Sequence, residues 1–568
     1  MKADDFCLEA IGFFVVVRLW CPEKAAAAAR WLPHHKKQEE VCNVFYSILF
    51  PAEEQWKKPR KEAAPDCFRD LYLDQIFRPI LNSRKEYGLE GFFYTSLRDS
   101  DTLIYRQKVM RELEDDGLRG FFSDFSQSIY RLSQSMETIK KSLTSENSYE
   151  NHYLTKGRLL DCADSYCTEL AGLTDGLRDR TLCSDGLRGF MKYLAAYTGT
   201  EAFTELRGQI GRLREQLSSV EYCMLIKNGV LRVRKYEGQE DHSKEILRLF
   251  DKFRQGDGTD YRRKLSEEPY AQHVEAAVLN MVASWYRDIF ENLDHFCLKY
   301  LDFIDPTVAR FSREIQFYLS WLEYIRPHRG KGLPFCYPKL CENAEHLYDR
   351  DGFDLALASS MGDAGQPVTN DFVLNTPERI IVVTGPNQGG KTTFARAFGQ
   401  IHYLSCLGLC VPGREAAILL FDNILTHFGR EEDLSTRNGK LQDDLERLHE
   451  LLGRAASRSI IVINEIFSST TLTDALLLGG RMMDALAKLG APAVCVTFID
   501  ELAAHGEETV SMMSSVREDD PAVRTFRITR RPPDGLAYAM HIAGKYGLTC
   551  EQLCERLSGG LCGSHKGG

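Results

Sequence analysis

The residues best placed to do chemistry are a glycine-rich run carrying one lysine and two hydroxyls. Arg379-Ile-Ile-Val-Val-Thr384 has the composition of a buried strand; Gly385-Pro-Asn-Gln-Gly-Gly-Lys-Thr-Thr393 follows it, directly before an amphipathic helical stretch. Gly-x-x-x-x-Gly-Lys-Thr between strand and helix is a phosphate-binding loop. Glycines let the backbone bend so that successive N–H groups and the helix N-terminus face an anion. Gly385, Pro386, Asn387, Gln388, Gly389, Gly390, Lys391, Thr392 and Thr393 are therefore the expected nucleotide-binding segment. Lys391 is expected to reach the β- and γ-phosphates of ATP and to count among the catalytic groups, and Thr392 to ligate Mg²⁺.

A second β-prone run, Ser459-Ile-Ile-Val-Ile463, ends in Asn464-Glu465. Where such a strand ends in Asp-Glu, the aspartate holds the metal shell and the glutamate polarises the attacking water. Glu465 is thus the expected general base. Asn464, in the metal position, can hydrogen-bond a metal-bound water but adds no charge. Hydrolysis is accordingly expected to be slow or to need a partner subunit.

A chain of 568 residues exceeds what one hydrophobic core usually supports, so two to four domains are expected. The net charge of −10 makes no global basic footprint, and any nucleic-acid surface must be local. The 17 cysteines include no Cys-x-x-Cys pair of zinc-ligand spacing. The i,i+4 pairs Cys406/Cys410 and Cys550/Cys554 read as buried core thiols, and a reducing cytoplasm follows. The apolar run Ala10 to Val17 follows Asp4, Asp5 and Glu9 rather than a basic segment and is too short to span a bilayer. A non-secreted protein without a membrane span is expected.

Along the chain, residues 1–40 read as a poorly ordered leader and 41–96 as a small module. Residues 97–326 read as a helical core or lever domain with a clamp-like insertion near 222–265. One long helix is expected from Gln272 to Ile304, with Val274, Val278, Met281, Val282, Trp285 and Ile289 on its stripe, roughly 45 Å long. Asp305-Pro306 breaks it, and a second helix runs through Phe311, Ile315, Tyr318, Leu322 and Ile325. Such paired helices suit levers and ordinary bundles equally. Asn228-Gly229, between two β-prone runs, signals a hairpin. Met224 to Lys264 holds 11 Lys plus Arg against 7 Asp plus Glu. Arg232, Arg234, Lys235, Arg262 and Arg263 are the expected contacts to DNA phosphates, a solvated basic face being the alternative. After the Pro/Gly-rich boundary at Arg326 to Pro338, strand-helix alternation marks a nucleotide-binding domain over 331–557. Residues 558–568 form a glycine-rich tail expected to be disordered.

Thr384 to Thr392 resembles the Thr-Gly-Pro-Asn-Met-Gly-Gly-Lys-Ser/Thr of the MutS family, with Gln388 in the methionine position. Val411-Pro412, Thr426-His-Phe-Gly429 and Asp433-Leu434 are similar to further family segments. Asn464-Glu-Ile-Phe-Ser-Ser-Thr-Thr-Leu-Thr-Asp474 resembles its Asp-Glu-Ile-Gly-Arg-Gly-Thr-Ser-Thr-x-Asp. The resemblance implies an α/β ABC-type P-loop ATPase domain C-terminal to a mainly α-helical lever/clamp region. It implies ATP and Mg²⁺ as ligands and a homodimer that embraces duplex, mismatched or branched DNA in mismatch repair or recombination. Each nucleotide would lie between one subunit's loop and the other's signature helix, with Gly439, Lys440 and Asp474 reaching across. Two departures stand out: Gly439-Lys-Leu-Gln442 replaces the signature Ser-Thr-Phe-Met, and Thr497-Phe498 replaces Thr-His. The family's Phe-x-Glu mismatch wedge has no N-terminal counterpart; Phe203-Thr204-Glu205 falls in a helical stretch and reads as coincidence. A relative without the mismatch-binding domain is expected. The alternatives are a nucleotide-gated structural clamp with little hydrolysis and, weakened by the lack of Leu-Ser-Gly-Gly, a transporter ATPase subunit.

Overall fold

The computed structural model describes residues 13–18, 45–144, 152–178, 180–227, 230–239, 269–429, 439–465, 467, 470–517, 523–533 and 548–560. The chain divides into two compact units. One comprises Met1–Ser47, Arg119–Leu182 and Leu187–Ile315; the other comprises Ile48–Leu118, Cys183–Gly186 and Gln316–Gly568. Among the described residues no helix is long and apolar enough to cross a membrane.

The first unit is mainly helical. His152–Gly176 buries Leu159, Leu160, Ala163, Tyr166 and Leu170, residues spaced by three or four along one face. The helix expected over Gln272 to Ile304 is instead two, Pro269–Trp285 and Arg287–Lys299. Tyr286 breaks it at φ −120° and ψ 44°. Its hydroxyl donates to the Glu221 carbonyl at 2.8 Å, and its ring takes the Lys235 ammonium at 5.1 Å. A one-residue break leaves the helical spacing nearly in phase, so periodicity alone does not reveal it. Val274 and Met281, placed on the stripe by spacing, are exposed. The second helix ends at Lys299, with Tyr300 as its C-cap, short of the expected break at Asp305-Pro306. Asp305 caps the next helix instead, its carboxylate accepting from the Thr307 and Val308 N–H groups at 2.9 and 3.0 Å. Pro306 opens the helix Pro306–Gly330, where a proline costs no intrahelical bond.

The hairpin consists of Glu221–Lys227 and Val230–Lys235. They pair antiparallel with Lys227 opposite Val230, which leaves a two-residue connection; Asn228 and Gly229 themselves lie outside the described residues. Phe13–Arg18 pairs antiparallel with the first strand, Phe13 opposite Ile226. Part of the segment read as a leader is thus a strand. Phe203 is buried in the helix Glu201–Ser218, with its N–H donating to the Thr200 hydroxyl, so the Phe-x-Glu triplet is a capped helix start.

In the second unit a six-stranded sheet positions the glycine-rich loop. Its strands are β1 (Ile380–Thr384), β2 (Ile424–Phe428), β3 (Ile460–Asn464), β4 (Ala493–Val496), β5 (Thr509–Val516) and β6 (Arg524–Arg530). The order is β2-β3-β4-β1-β5-β6. The first five are parallel and β6 is an antiparallel edge. Every residue of β1, β3 and β4 is buried, which explains their unbroken Ile/Val/Ala runs: a parallel sheet is covered on both faces. Helix α1 (Lys391–Ser405) follows the loop, and α2 (Lys440–Arg454) and α3 (Leu472–Leu489) precede β3 and β4.

Residues 48–94, read from sequence as part of a separate small module, pack directly on α1. Gln400 donates to the Leu71 carbonyl and to Asp354, both at 2.8 Å, and the Tyr403 hydroxyl donates to the Phe93 carbonyl at 2.9 Å. Phe68 meets the Tyr403 ring edge-on at 5.0 Å. A buried helix carrying Gln400 and Tyr403 needs polar partners, and the short helices Cys67–Leu71 and Glu90–Tyr94, with Asp354 before the helix Leu355–Met361, supply them. Arg106 is also buried there and satisfied by the Leu49 and Leu407 carbonyls at 3.0 Å each.

Candidate nucleotide site

The loop from Gly385 to Gly390 joins the carboxyl end of β1 to the N-terminus of α1. Three of its residues lie in the left-handed region: Gly385 at φ +109°, Gln388 at +58° and Gly390 at +91°. Gly389 is required for a different reason. A Cβ there would lie 2.1 Å from the Ser514 Oγ, which donates to the Gly389 carbonyl at 2.7 Å. Pro386 is buried, whereas Asn387 and Gln388 are exposed.

Lys391 is 4% exposed. Its ammonium donates to the Gly385 and Pro386 carbonyls at 2.7 and 3.1 Å and lies 4.3 Å from the centre of the Phe498 ring. Burial pushes the lysine down to about 8, with Glu465 and Asp500 opposing that shift and Arg524 adding to it. The Thr392 hydroxyl donates to the Asn464 amide oxygen at 2.9 Å. Residues 72 apart in sequence therefore meet where the N-terminus of α1 faces the carboxyl end of β3. Thr393 follows in the first turn of α1. Glu465 sits just past β3 at φ +56°, and its N–H donates to the Val496 carbonyl at 2.9 Å.

The remaining sequence candidates lie elsewhere. Gly439 is the N-cap of α2 and Lys440 its first residue. Asp474 closes the start of α3, accepting from the Thr471 hydroxyl at 2.8 Å while its N–H donates back to Thr471. Arg232, Arg234 and Lys235 are exposed on the edge strand of the hairpin sheet, Arg232 and Arg234 on one face. Arg262 and Arg263 lie outside the described residues. Cys406 and Cys410 are buried thiols as expected, but Cys550 and Cys554 are exposed: their helix, Cys550–Gly560, carries Glu551 and Arg556 and presents this pair to solvent. Among the described residues no group of three or more His, Cys, Asp and Glu could hold a metal.

Four residues escaped the sequence reading. Ser514 on β5 buttresses Gly389. Arg524 on β6 donates to the Asn387 carbonyl at 3.2 Å. Phe526, also on β6, is at φ +58° beside Gly390. Asn370 holds that kink by donating to the Phe526 carbonyl at 3.2 Å and accepting from the Ile528 N–H at 2.7 Å. None carries a local signal, because each acts across more than a hundred residues of chain.

A mostly parallel six-stranded sheet with a glycine-rich loop between a buried strand and the helix that begins at Lys391 defines an α/β domain. Residues 381–551 match the family model of MutS domain V, and the chain therefore carries a domain of the MutS family. DNA mismatch repair protein MutS of Lactobacillus delbrueckii subsp. bulgaricus is 29% identical over 200 residues, 34% of this chain and 23% of that protein. Endonuclease MutS2 of Thermus thermophilus is 30% identical over 188 residues, 33% of this chain and 25% of its own length. DNA mismatch repair protein MutS of Thermotoga maritima is 26% identical over 182 residues, 31% and 23% of the two chains. The matches thus span about a quarter of the length of these relatives.

Proposed function

We propose that the chain is an ATP- and DNA-binding clamp of the MutS type, in which nucleotide bound at Gly385 to Thr393 governs how two copies close on DNA. One observation carries the reading: Thr392 and Asn464 meet at 2.9 Å beside the loop that holds Lys391. The donor set fits the implied ligand. Thr392 and Asn464 offer the hard oxygens that Mg²⁺ takes, and Gly385 and Gly390 hold the left-handed backbone that bends the loop. When bound, the metal offsets phosphate charge. Thr392 and Asn464 would hold it, Lys391 would bind the phosphates, and Glu465 would accept a proton from the attacking water. Gly439, Lys440 and Asp474 would face the nucleotide of a second copy. Arg232, Arg234 and Lys235, together with Arg262 and Arg263, would contact phosphates of duplex, mismatched or branched DNA, serving mismatch repair or recombination.

A second reading, a nucleotide-gated clamp with little hydrolysis, is favoured by two observations. Asn464 is uncharged where a carboxylate would add to the charge around a metal, and Phe498 stands where the resemblance expects histidine. Measuring ATP binding and ATP turnover with and without duplex, mismatched and branched DNA tests both. DNA-stimulated turnover supports the ATPase, binding without turnover supports the gated clamp, and no ATP binding refutes both.

A further inference from the structure

Phe498 is a large apolar side chain 48% exposed at the end of β4, a position that wastes its hydrophobic surface unless something else uses it. Its neighbours fix it there. Thr497 is buried and its N–H donates to the Val383 carbonyl of β1 at 3.1 Å; Ile499 is buried and its N–H donates to the Thr497 hydroxyl at 3.1 Å. With both flanks anchored, the ring projects from the strand adjacent to β1, and it lies over the Lys391 ammonium at 4.3 Å. The same ammonium donates to Gly385 and Pro386, carbonyls of its own loop. Two carbonyls and one aromatic face therefore hold the lysine, and the attraction of a cation for a ring face is strongest where water is excluded.

Resting on the nucleotide reading above, we propose that Phe498 is the positioning residue of the loop lysine: its ring latches Lys391 onto the loop's own carbonyls. A nucleoside triphosphate must draw the ammonium out from under the ring in order to bind. The ring thereby sets nucleotide affinity without touching the base. A polar residue at this position would have no such grip, and an aliphatic one would fill the space without attracting the cation.

The test is a graded series at position 498, titrated with MgATP and separately with inorganic tripolyphosphate, with thermal melting as the check on folding. Phe498→Leu keeps the bulk but loses the quadrupole. It should bind both ligands about two- to thirty-fold more tightly, the range spanned by cation–π contacts. Phe498→Trp, the stronger cation binder, should bind both more weakly than the native chain. A filler role would not produce this order. Equal or weaker binding by a folded Phe498→Leu protein overturns the latch, as does an effect confined to ATP, which would mean that the ring meets the base. Undiminished ATP binding by Lys391→Ala overturns the nucleotide reading and the latch together.

Discussion

At the scale of single residues, burial lowers the loop lysine and two histidines alike. The Lys391 ammonium is held by two carbonyls of its own loop and by the Phe498 ring, none of which the fold needs the charge to keep in place, so Lys391→Ala should abolish ATP binding while the fold survives. Nucleotide titration and circular dichroism on the same sample check this, and unchanged affinity in a folded protein would contradict it. His402 on α1 is fully buried, with its Nδ1 at 2.7 Å from the Phe398 carbonyl and its Nε2 without a partner. Burial pushes it down from 6.5 to about 4, and burial does the same to His427 on β2. A histidine whose folded value is depressed stabilises the fold above its unfolded value and loses that contribution as pH falls toward the folded one. The buried carboxylates Asp349 and Asp354 are raised by desolvation and oppose this trend. The prediction is therefore a difference: between pH 6.5 and 4 the melting temperature of His402→Leu should fall less than that of the native chain. Parallel curves for the two proteins would rule out His402 as a source of acid sensitivity.

At the scale of elements, helix α1 depends on how it stops as well as how it starts. Past its end, Gly408 sits at φ +78° and donates to the Ser405 carbonyl at 3.0 Å, and a Cβ there would lie 2.7 Å from the Arg106 Cβ. Gly408→Ala should cost about 2–4 kcal/mol, the left-handed penalty adding to overpacking against a buried arginine that cannot move. Urea unfolding measures it, and a loss below about 0.5 kcal/mol would show that the glycine is incidental. The loop, β1 and β3 were legible in the sequence because their signals are local: unbroken apolar runs and a glycine-lysine spacing. Asp305-Pro306 was legible for the same reason, since a cap and a proline act within three residues. Tyr286 was not, because its break is held by a hydroxyl bonded to Glu221, 65 residues away. Nor were Ser514 and Asn370, whose partners lie 125 and 156 residues off. The packing of residues 48–94 on α1 was hidden likewise, because Gln400 and Tyr403 look like interruptions in a helical stripe until the carbonyls that receive them are in view.

At the scale of the whole molecule, the proposed clamp makes two claims about assembly. If the N-terminus of α2 meets the nucleotide of a second copy, ATP should drive dimerisation, and Glu465→Gln should accumulate the dimer by slowing turnover. Light scattering at saturating ATP reads this directly, and a strictly monomeric species would exclude the shared site. The claim about DNA rests on the hairpin, whose edge strand presents Arg232 and Arg234 on one face. Charged residues on an edge strand also deter pairing with other chains, so exposure alone does not assign them to phosphates. Salt dependence does. Each cation that neutralises a phosphate of duplex DNA releases counterions and contributes about 0.9 to the slope of log affinity against log salt. Replacing both arginines by alanine should therefore flatten that slope by about two and weaken matched and mismatched duplexes equally, because phosphate contacts carry no sequence information. An unchanged slope would return the two arginines to edge protection. A mismatch preference that survives the substitutions would place base reading away from the hairpin face that carries Arg232 and Arg234.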